Sequence, residues 1–279
     1  MAKLFSVASW NVEHFKGDGA DAARVQRVID FLDRQRPDLF ALYEVEGARV
    51  FEALVTAMPG YTFQITEGDQ TQEILVGVKR DITAFITQKM EYKSGTTHMR
   101  PGQLVTLRIG GDDYSILFLH VASGTNPRGM GLRDDMVQRA LDFRKVLDKA
   151  QGGRGKARYM FLGDLNSMGM DYPFDRAIVA DIELKKWDKE ASRAAINMRR
   201  LPKTSHNSWS NGSGSRIPDS ALDHVYASQQ LAFRQFAAPG GGIAEVSVRG
   251  WVDAATDAEK DAWIADFSDH SLLYLEVVS

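Results

Sequence analysis

Apolar residues in this chain follow two rhythms. Val25, Val28, Ile29 and Leu32 recur three and four positions apart, which predicts a helix over residues 21–35 closed by Pro37. Met136, Ala140, Phe143 and Leu147 predict a long amphipathic helix over residues 131–150, and "GARVFEALVTAM" reads as another helix closed by Pro59-Gly60. Between them lie short, nearly continuous apolar runs of strand type: "KLFSVASWNV", "DLFALYEV", "YTFQI", "EILVGVK", "ITAFITQ", "QLVTLRI", "YSILFLHVA", "RYMFLGDLN", "ALDHVYAS" and "SLLYLEVV". Residues 171–200 look helical but irregular. No repeat, low-complexity tract or long linker interrupts the pattern. Helices and strands alternating over the full length predict one α/β domain spanning residues 1–279.

The informative feature is how the apolar runs end. The first ends in Asn11 and the second in Glu44, while "ILFLHVASG" carries His120 and "MFLGDLN" carries Asp164 and Asn166. Asp223 opens "DHVYAS", and Asp269 and His270 directly precede the last strand. On an extended backbone residues i and i+2 share a side, so Asp164 and Asn166 are expected on one face. One polar strand end means little; six such places predict that the ends converge on one polar pocket. Oxygen donors with histidines and no thiol select Mg²⁺, Mn²⁺ or Ca²⁺ over zinc. A hard cation beside histidines suits attack of water on phosphorus.

Composition narrows the field further. The chain has no cysteine, which excludes a disulfide scaffold, a thiolate zinc site and a cysteine nucleophile. The formal net charge of −3 excludes a generally basic nucleic-acid coat, so affinity for a polyanion must come from local clustering or a metal. "MAKLFSVASWNVEHF" lacks an apolar run of signal-peptide length, and no stretch approaches a membrane span. These features predict a cytoplasmic protein that does not insert into membranes, with export that needs no cleaved signal left open.

"SWNV", "LYEVEG", "FLHVAS", "GDLN", "ALDHVYAS" and "SDHSLL" occur in the order found in the endonuclease/exonuclease/phosphatase superfamily, and the chain resembles that group from residue 7 to about residue 277. Its members include DNase-I-like nucleases, abasic-site endonucleases, sphingomyelinases and inositol-polyphosphate 5-phosphatases. The resemblance implies a four-layer α/β sandwich, two mixed β-sheets packed face to face with helices outside. It also implies a metal-dependent phosphoesterase site at one edge. Glu44 matches the metal-binding glutamate, Asn11 the amide beside the metal, and Asp269 a second carboxylate of the metal site. Mg²⁺ is the implied ion, with Mn²⁺ or Ca²⁺ as substitutes.

By the same resemblance, Asp164 orients or deprotonates the attacking water and Asn166 steadies that water or a phosphate oxygen. His270 donates to the phosphate as charge builds, and Asp223 holds its ring. His120 resembles a second acid/base group, with Glu73 as its supporting partner, and Arg100 resembles a phosphate-contacting arginine. In one place the chain departs from the family: Tyr43 stands where the family usually has glutamine before the metal glutamate.

For the substrate, residues 185–203 hold seven basic side chains against two acidic ones, a local excess of +5 in an acidic chain. Such a segment binds a phosphate backbone without reading sequence, and Trp187 and Trp209 are expected to stack on bases. These features favour a Mg²⁺-dependent nuclease that cleaves DNA, rather than RNA, with little sequence preference. The alternatives are a phosphatase or phosphodiesterase for a small phosphoester or lipid headgroup, and a catalytically dead binding module. Retention of Glu44, Asp164, Asn166, Asp223, Asp269 and His270 together argues against the last. Oligomeric state is not legible.

Overall fold

Strand β1 (Lys3–Phe15) alternates, with Phe5 and Val7 to one side and Ala8, Trp10 and Val12 to the other, all of them buried. A strand apolar on both faces needs cover on both. Helix α1 (Ala22–Gln35) supplies one cover with Val25, Val28, Ile29 and Leu32. It stops where expected: Arg36 adopts a left-handed φ of 48° just before Pro37. The other cover is a second sheet. The computed structural model of the protein describes residues 2–17, 21–68, 72–93 and 100–279.

In the first sheet β1 pairs in parallel with β2 (Leu39–Val45), which is the geometry a helical crossover such as α1 permits. After α2 (Ala48–Ala57) come β3 (Tyr61–Ile65) and β4 (Glu73–Lys79), antiparallel to one another, with β4 beside β2. The second sheet holds β5 (Thr83–Lys89), β6 (Gly102–Ile109), β7 (Asp112–His120) and β8 (Arg158–Asp164) in that order. Here β7 and β8 are the parallel pair, and α3 (Pro127–Ala150) is their crossover. Beyond α4 (Ala180–Ser192), β9 (Met198–Arg200) and β10 (Asp223–Ser228) complete this sheet, in spatial order β8-β10-β9.

The chain then returns to the first sheet. β11 (Ala232–Phe233) precedes a small hairpin of β12 (Phe236–Ala237) and β13 (Ile243–Ala244). β14 (Ser247–Arg249), helix α5 (Asp257–Asp266) and β15 (Leu272–Val278) follow. β15 pairs with β1, β11 and β14.

Three apolar layers hold this together. Val7, Ala41, Val76, Val105, Ile116, Leu162 and Val225 pack between the sheets. Trp10, Phe40 and Leu42 pack under α1 and α2. Leu117, Phe161 and Tyr226 pack under α3 and α4 with Val137, Leu141 and Trp187. The result is the expected four-layer sandwich of two mixed sheets with helices outside.

Differences from the sequence reading have local causes. Helix α3 starts at Pro127 rather than residue 131 because the Asn126 side chain accepts from Gly129 N at 2.8 Å and proline suits the first turn. Residues 171–200 hold α4 and, at their end, the short strand β9, with loops on either side of the helix. Helix α5 has no fully buried residue and hence no apolar stripe to betray it; its signal is the reciprocal cap between Thr256 and Glu259. Among the described residues no helix is long and apolar enough to cross a membrane.

Candidate active site

The face of each strand that fills the core between the sheets turns polar at one end. Phe118 is followed on that face by His120, Leu162 by Asp164, and Val225 is preceded by Asp223. Register makes these three polar residues neighbours: His120 lies opposite Asp164 in the β7–β8 pair, and Asp164 opposite Asp223 in the β8–β10 pair. From the facing sheet, Asn11 donates through Nδ2 to Asp164 Oδ2 at 3.0 Å and to Glu44 Oε1 at 3.1 Å.

Glu44 reaches this cluster against its strand parity. Leu42 faces the helices and Tyr43 the core, so Glu44 should face the helices. Its φ of 61° breaks the alternation, and β-pairing slips on both sides of β2 near it. Such bulges re-aim side chains at functional edges. Glu13 and His14 also have positive φ, 37° and 46°, and their backbone N–H groups donate to Asn11 Oδ1 and Glu44 Oε2, both at 3.0 Å. Strain of this kind collects at functional sites.

Gly163 is required where it stands. Its φ is 142°, and a Cβ would lie 2.0 Å from Leu119 O and 2.7 Å from Tyr43 Oη. Asp164 and Asn166 do not share an extended face as expected. Asn166 has a φ of 47°, its N–H donates to Asp164 Oδ1 at 3.0 Å, and its Nδ2 donates to Val121 O at 3.3 Å. Asx-type turns compete with extended backbone in this way.

The segment before β15 supplies the other half of the site. Ser268 Oγ donates to Asn11 O at 2.7 Å and accepts from His270 N at 3.0 Å. His270 Nδ1 meets Asp223 Oδ2 at 2.8 Å, and its Nε2 lies 3.8 Å from Asp164 Oδ2 and 3.9 Å from Asp269 Oδ1. His120 Nε2 lies 3.5 Å from Asp164 Oδ2 and 3.7 Å from Glu44 Oε1. Asn11, Glu44, His120, Asp164, Asn166, Asp223, Asp269 and His270 therefore converge, as the strand ends imply.

Burial and crowding set the charges. Burial pushes the Asp164 carboxyl up to about 7; His270 opposes the shift, and Asp223 and Glu44 reinforce it. Burial alone would lower His270, but Asp223 and Asp164 outweigh it and raise the ring to about 10. His120 is held well below its usual value by burial and by Arg100 and His270. The site thus places an imidazolium and a neutral imidazole on either side of one carboxylate.

Among the described residues Asp164, Asp223 and His270 bring one potential metal-ligand atom each within 4.8 Å of the others. An imidazolium whose Nδ1 is committed to Asp223 is a poor ligand, so this trio is better read as a proton-handling group. A second acidic cluster suits a hard cation. Asp269 is raised by burial and then by Glu44 and Asp223, and Glu13 is raised by burial and then by Asp269 and Glu44. His270 and Trp209 offset part of this at Asp269 and Arg24 at Glu13; oxygen donors of this kind fit a divalent ion.

Other expected residues stand elsewhere. Arg100 Nε donates to Gln72 O at 2.8 Å, and Gln72 Nε2 donates to Glu44 Oε2 at 3.2 Å, so Arg100 meets the site through Gln72. Glu73 does not support His120: its carboxylate accepts from Thr66 Oγ1, and His120 Nδ1 is buried without a hydrogen-bond partner. The amide of buried Gln103, opposite Phe118 in the β6–β7 pair, also lacks a partner. Trp209 donates through Nε1 to Asp269 Oδ2 at 2.6 Å, which makes it a prop for that carboxylate. Trp187 is 1% exposed in the core beneath α4 and offers no face to a base.

Glu13, Gln72 and Ser268 were missed. Gln72 and Ser268 do directly adjoin singled-out residues, but small polar side chains in loops carry little signal. A cavity of about 510 Å³, lined by Arg199, Arg200, Lys203 and His206 among others, adjoins the site through Lys203 Nζ, which donates to the Asp223 backbone carbonyl at 2.8 Å.

A model of the endonuclease/exonuclease/phosphatase family matches residues 8–270. The chain belongs to that family. No curated protein sequence matches it. Solved structures share the family fold at low identity. Truncated TDP2 from Caenorhabditis elegans is 17% identical with a TM-score of 0.66, covering 99% of this chain and 98% of its own. A 3′-5′ exonuclease from Neisseria meningitidis is 13% identical with a TM-score of 0.63, covering 98% of this chain and 100% of its own. A mannosyl-6-phosphatase from Bacteroides thetaiotaomicron is 14% identical with a TM-score of 0.58, covering 99% and 100%. The family resemblance read from the sequence motifs is borne out.

Proposed function

We propose that this protein is a divalent-metal-dependent phosphodiesterase, one domain over residues 1–279, that hydrolyses nucleic-acid backbones, DNA before RNA, with little sequence preference. The observation that carries this reading is the geometry of the trio: His270 Nε2 lies 3.8 Å from Asp164 Oδ2 while Asp223 holds Nδ1 at 2.8 Å, and burial raises the Asp164 carboxyl. A base poised near neutral pH and a cationic donor aimed at the same spot suit in-line attack of water on phosphorus.

In this scheme Asp164 takes the proton of the attacking water. His270 donates from Nε2 to a non-bridging phosphate oxygen as negative charge builds there. Asp223 fixes the tautomer and keeps the ring charged. Asn166 holds Asp164 in its turn, and neutral His120 hydrogen-bonds to the leaving oxygen, which takes its proton from solvent. Glu44, with Asn11 and Asp269, would hold Mg²⁺, which supplies charge neutralisation at the phosphate. Trp209 positions Asp269, and Arg100 contacts phosphate beside Gln72.

A second reading, hydrolysis of a small phosphoester, has its own support. Within the basic segment Lys186 pairs with Asp134, Arg193 with Glu190, Arg199 with Glu245 and Arg200 with Asp188, so much of its charge is already spent internally. One of the structures of similar fold is a mannosyl-6-phosphatase. Incubation of plasmid, oligonucleotides and sugar phosphates with the protein and Mg²⁺ separates the two. Nicking that EDTA abolishes supports the nuclease; phosphate release from the sugar phosphate with intact nucleic acid overturns it.

A further inference from the structure

The loop that follows the Asp164–Asn166 turn presents aromatic rings to solvent on a fixed base. Met170 and Ile178 exchange backbone hydrogen bonds of 2.7 and 2.8 Å, closing off residues 171–177. Beneath them Gly169, with a φ of 72°, has no room for a Cβ, which would lie 2.0 Å from Ile178 O. Arg133 and Glu183, 0% and 1% exposed, brace this base. Arg133 Nη2 donates to Gly169 O at 2.7 Å, Nη1 to Gly124 O at 2.6 Å and Nε to Glu183 Oε1 at 3.0 Å, while Gly169 N donates to Glu183 Oε2 at 2.8 Å. Asp171 N donates to Thr125 O at 2.7 Å, which ties the loop to the segment that follows His120.

On this base Phe174 is 85% exposed and Tyr172 41% exposed, their rings edge-to-face at 5.8 Å. Tyr172 is six and Phe174 eight positions from Asn166, so their Cα atoms lie within about 20 and 30 Å of that of Asn166. Arg176, in the same loop, is exposed and forms no ion pair among the described residues. Exposed rings on a braced loop, with the uncommitted Arg176 beside them, match a nucleotide: π-faces for stacking and a guanidinium for one phosphate. Asp171 and Asp175, exposed in the same loop, oppose any densely anionic surface, a bilayer or a run of backbone phosphates alike, so the rings are left to receive a base face. Bases inside a duplex keep their faces covered, so the partner must have an unpaired base.

We propose that the Tyr172–Phe174 tip is a stacking subsite for an unpaired nucleobase a few nucleotides from the scissile phosphate, which makes single-stranded or frayed nucleic acid the preferred substrate. This rests on the nuclease reading above and narrows it. The test is fluorescence anisotropy in EDTA with a labelled single-stranded oligonucleotide and its abasic counterpart. The probes are applied to wild type, Tyr172→Ala/Phe174→Ala, Phe174→Trp and Phe174→Leu. The double variant is expected to bind the base-bearing strand about 10-fold more weakly or worse. Phe174→Trp should retain binding and Phe174→Leu should not, with little difference among the proteins on the abasic strand.

Equal losses on both strands, full binding by Phe174→Leu, or no binding of the base-bearing strand by wild type overturns the subsite. So does wild-type sedimentation with phosphatidylserine-containing vesicles that Phe174→Ala abolishes. Plasmid cleavage by wild type is scored separately: cleavage without a ring effect sinks this inference alone, whereas no cleavage sinks the nuclease reading.

Discussion

His270 Nδ1 and Asp223 Oδ2 meet at 2.8 Å across 47 positions of sequence, with 4% and 2% of the two residues exposed. A buried carboxylate against an imidazole selects one tautomer and favours the charged ring, which here rises to about 10. Asp223→Asn keeps the shape but removes the charge. It is expected to lower kcat by about 10²–10³-fold while KM changes little, because the loss is confined to the stage where phosphate charge grows. Steady-state kinetics on a soluble phosphodiester checks this; kcat within threefold of wild type would remove the pair from the mechanism.

Gly163 sits where β7, β8 and Tyr43 touch. Alanine there would drive a methyl group against Leu119 O and force a φ of 142° on a residue with a side chain. The two strands must part to admit it, and with them the His120–Asp164 register. Gly163→Ala is expected to lose about 2–4 kcal/mol of stability and most activity. Urea unfolding measures the first; an unchanged midpoint would show that the strands yield easily.

Strand periodicity made the site's skeleton legible. His120, Asp164 and Asp223 continue apolar alternations by one step, so their shared face follows from counting. Glu44 was found by its motif although its parity points the wrong way; a left-handed φ at a glutamate has no sequence signature. Glu73 reads as the partner of His120 in the sequence, whereas in the structure Thr66, seven positions away across the β3–β4 hairpin, donates to its carboxylate and His120 Nδ1 has no hydrogen-bond partner. Trp187 and Trp209 looked alike as stacking candidates, and packing alone separated a core residue from a prop for Asp269. Counting charge over residues 185–203 overstated the basic patch because the partners Asp134 and Glu245 come from elsewhere in the chain.

Asp38 lies at the opposite end of β2 from Glu44 and gives a pH-dependent stability term independent of the site. Its oxygens accept from Lys79 Nζ at 2.7 Å, Lys3 Nζ at 2.9 Å, and Ser6 N and Oγ, both at 2.8 Å. Burial alone would raise its pKa, but Lys79, Lys3 and Ser6 together hold it at about 2, below its usual 3.8. A depressed carboxylate contributes stability that is complete above the unfolded pKa and lost as pH falls through the folded one. The window is therefore roughly pH 4 down to 2, and the contribution about 1–2 kcal/mol once solvent screening is allowed for. Asp38→Asn should lower the urea midpoint at pH 7, and the gap from wild type should close toward pH 2. A gap that persists unchanged at pH 2 would assign the loss to packing.

Glu44, the metal ligand proposed above, stands on strained backbone, with a φ of 61°. Its oxygens accept from Asn11, His14 N and Gln72, and these donors orient it without supplying a full charge. A hard cation would gain from that orientation, because the ligand is already aimed. Glu44→Gln retains the shape and the acceptor oxygen but removes the negative charge, the main attraction for Mg²⁺. The variant is expected to bind Mg²⁺ at least 10-fold more weakly in calorimetry on metal-free protein. Its activity should recover in part at raised Mg²⁺, while Asp223→Asn should not recover. Wild-type activity should vanish in EDTA and return with Mg²⁺. Unchanged Mg²⁺ affinity in Glu44→Gln would move the metal to the Asp164, Asp223 and His270 trio and reverse the roles argued for both clusters.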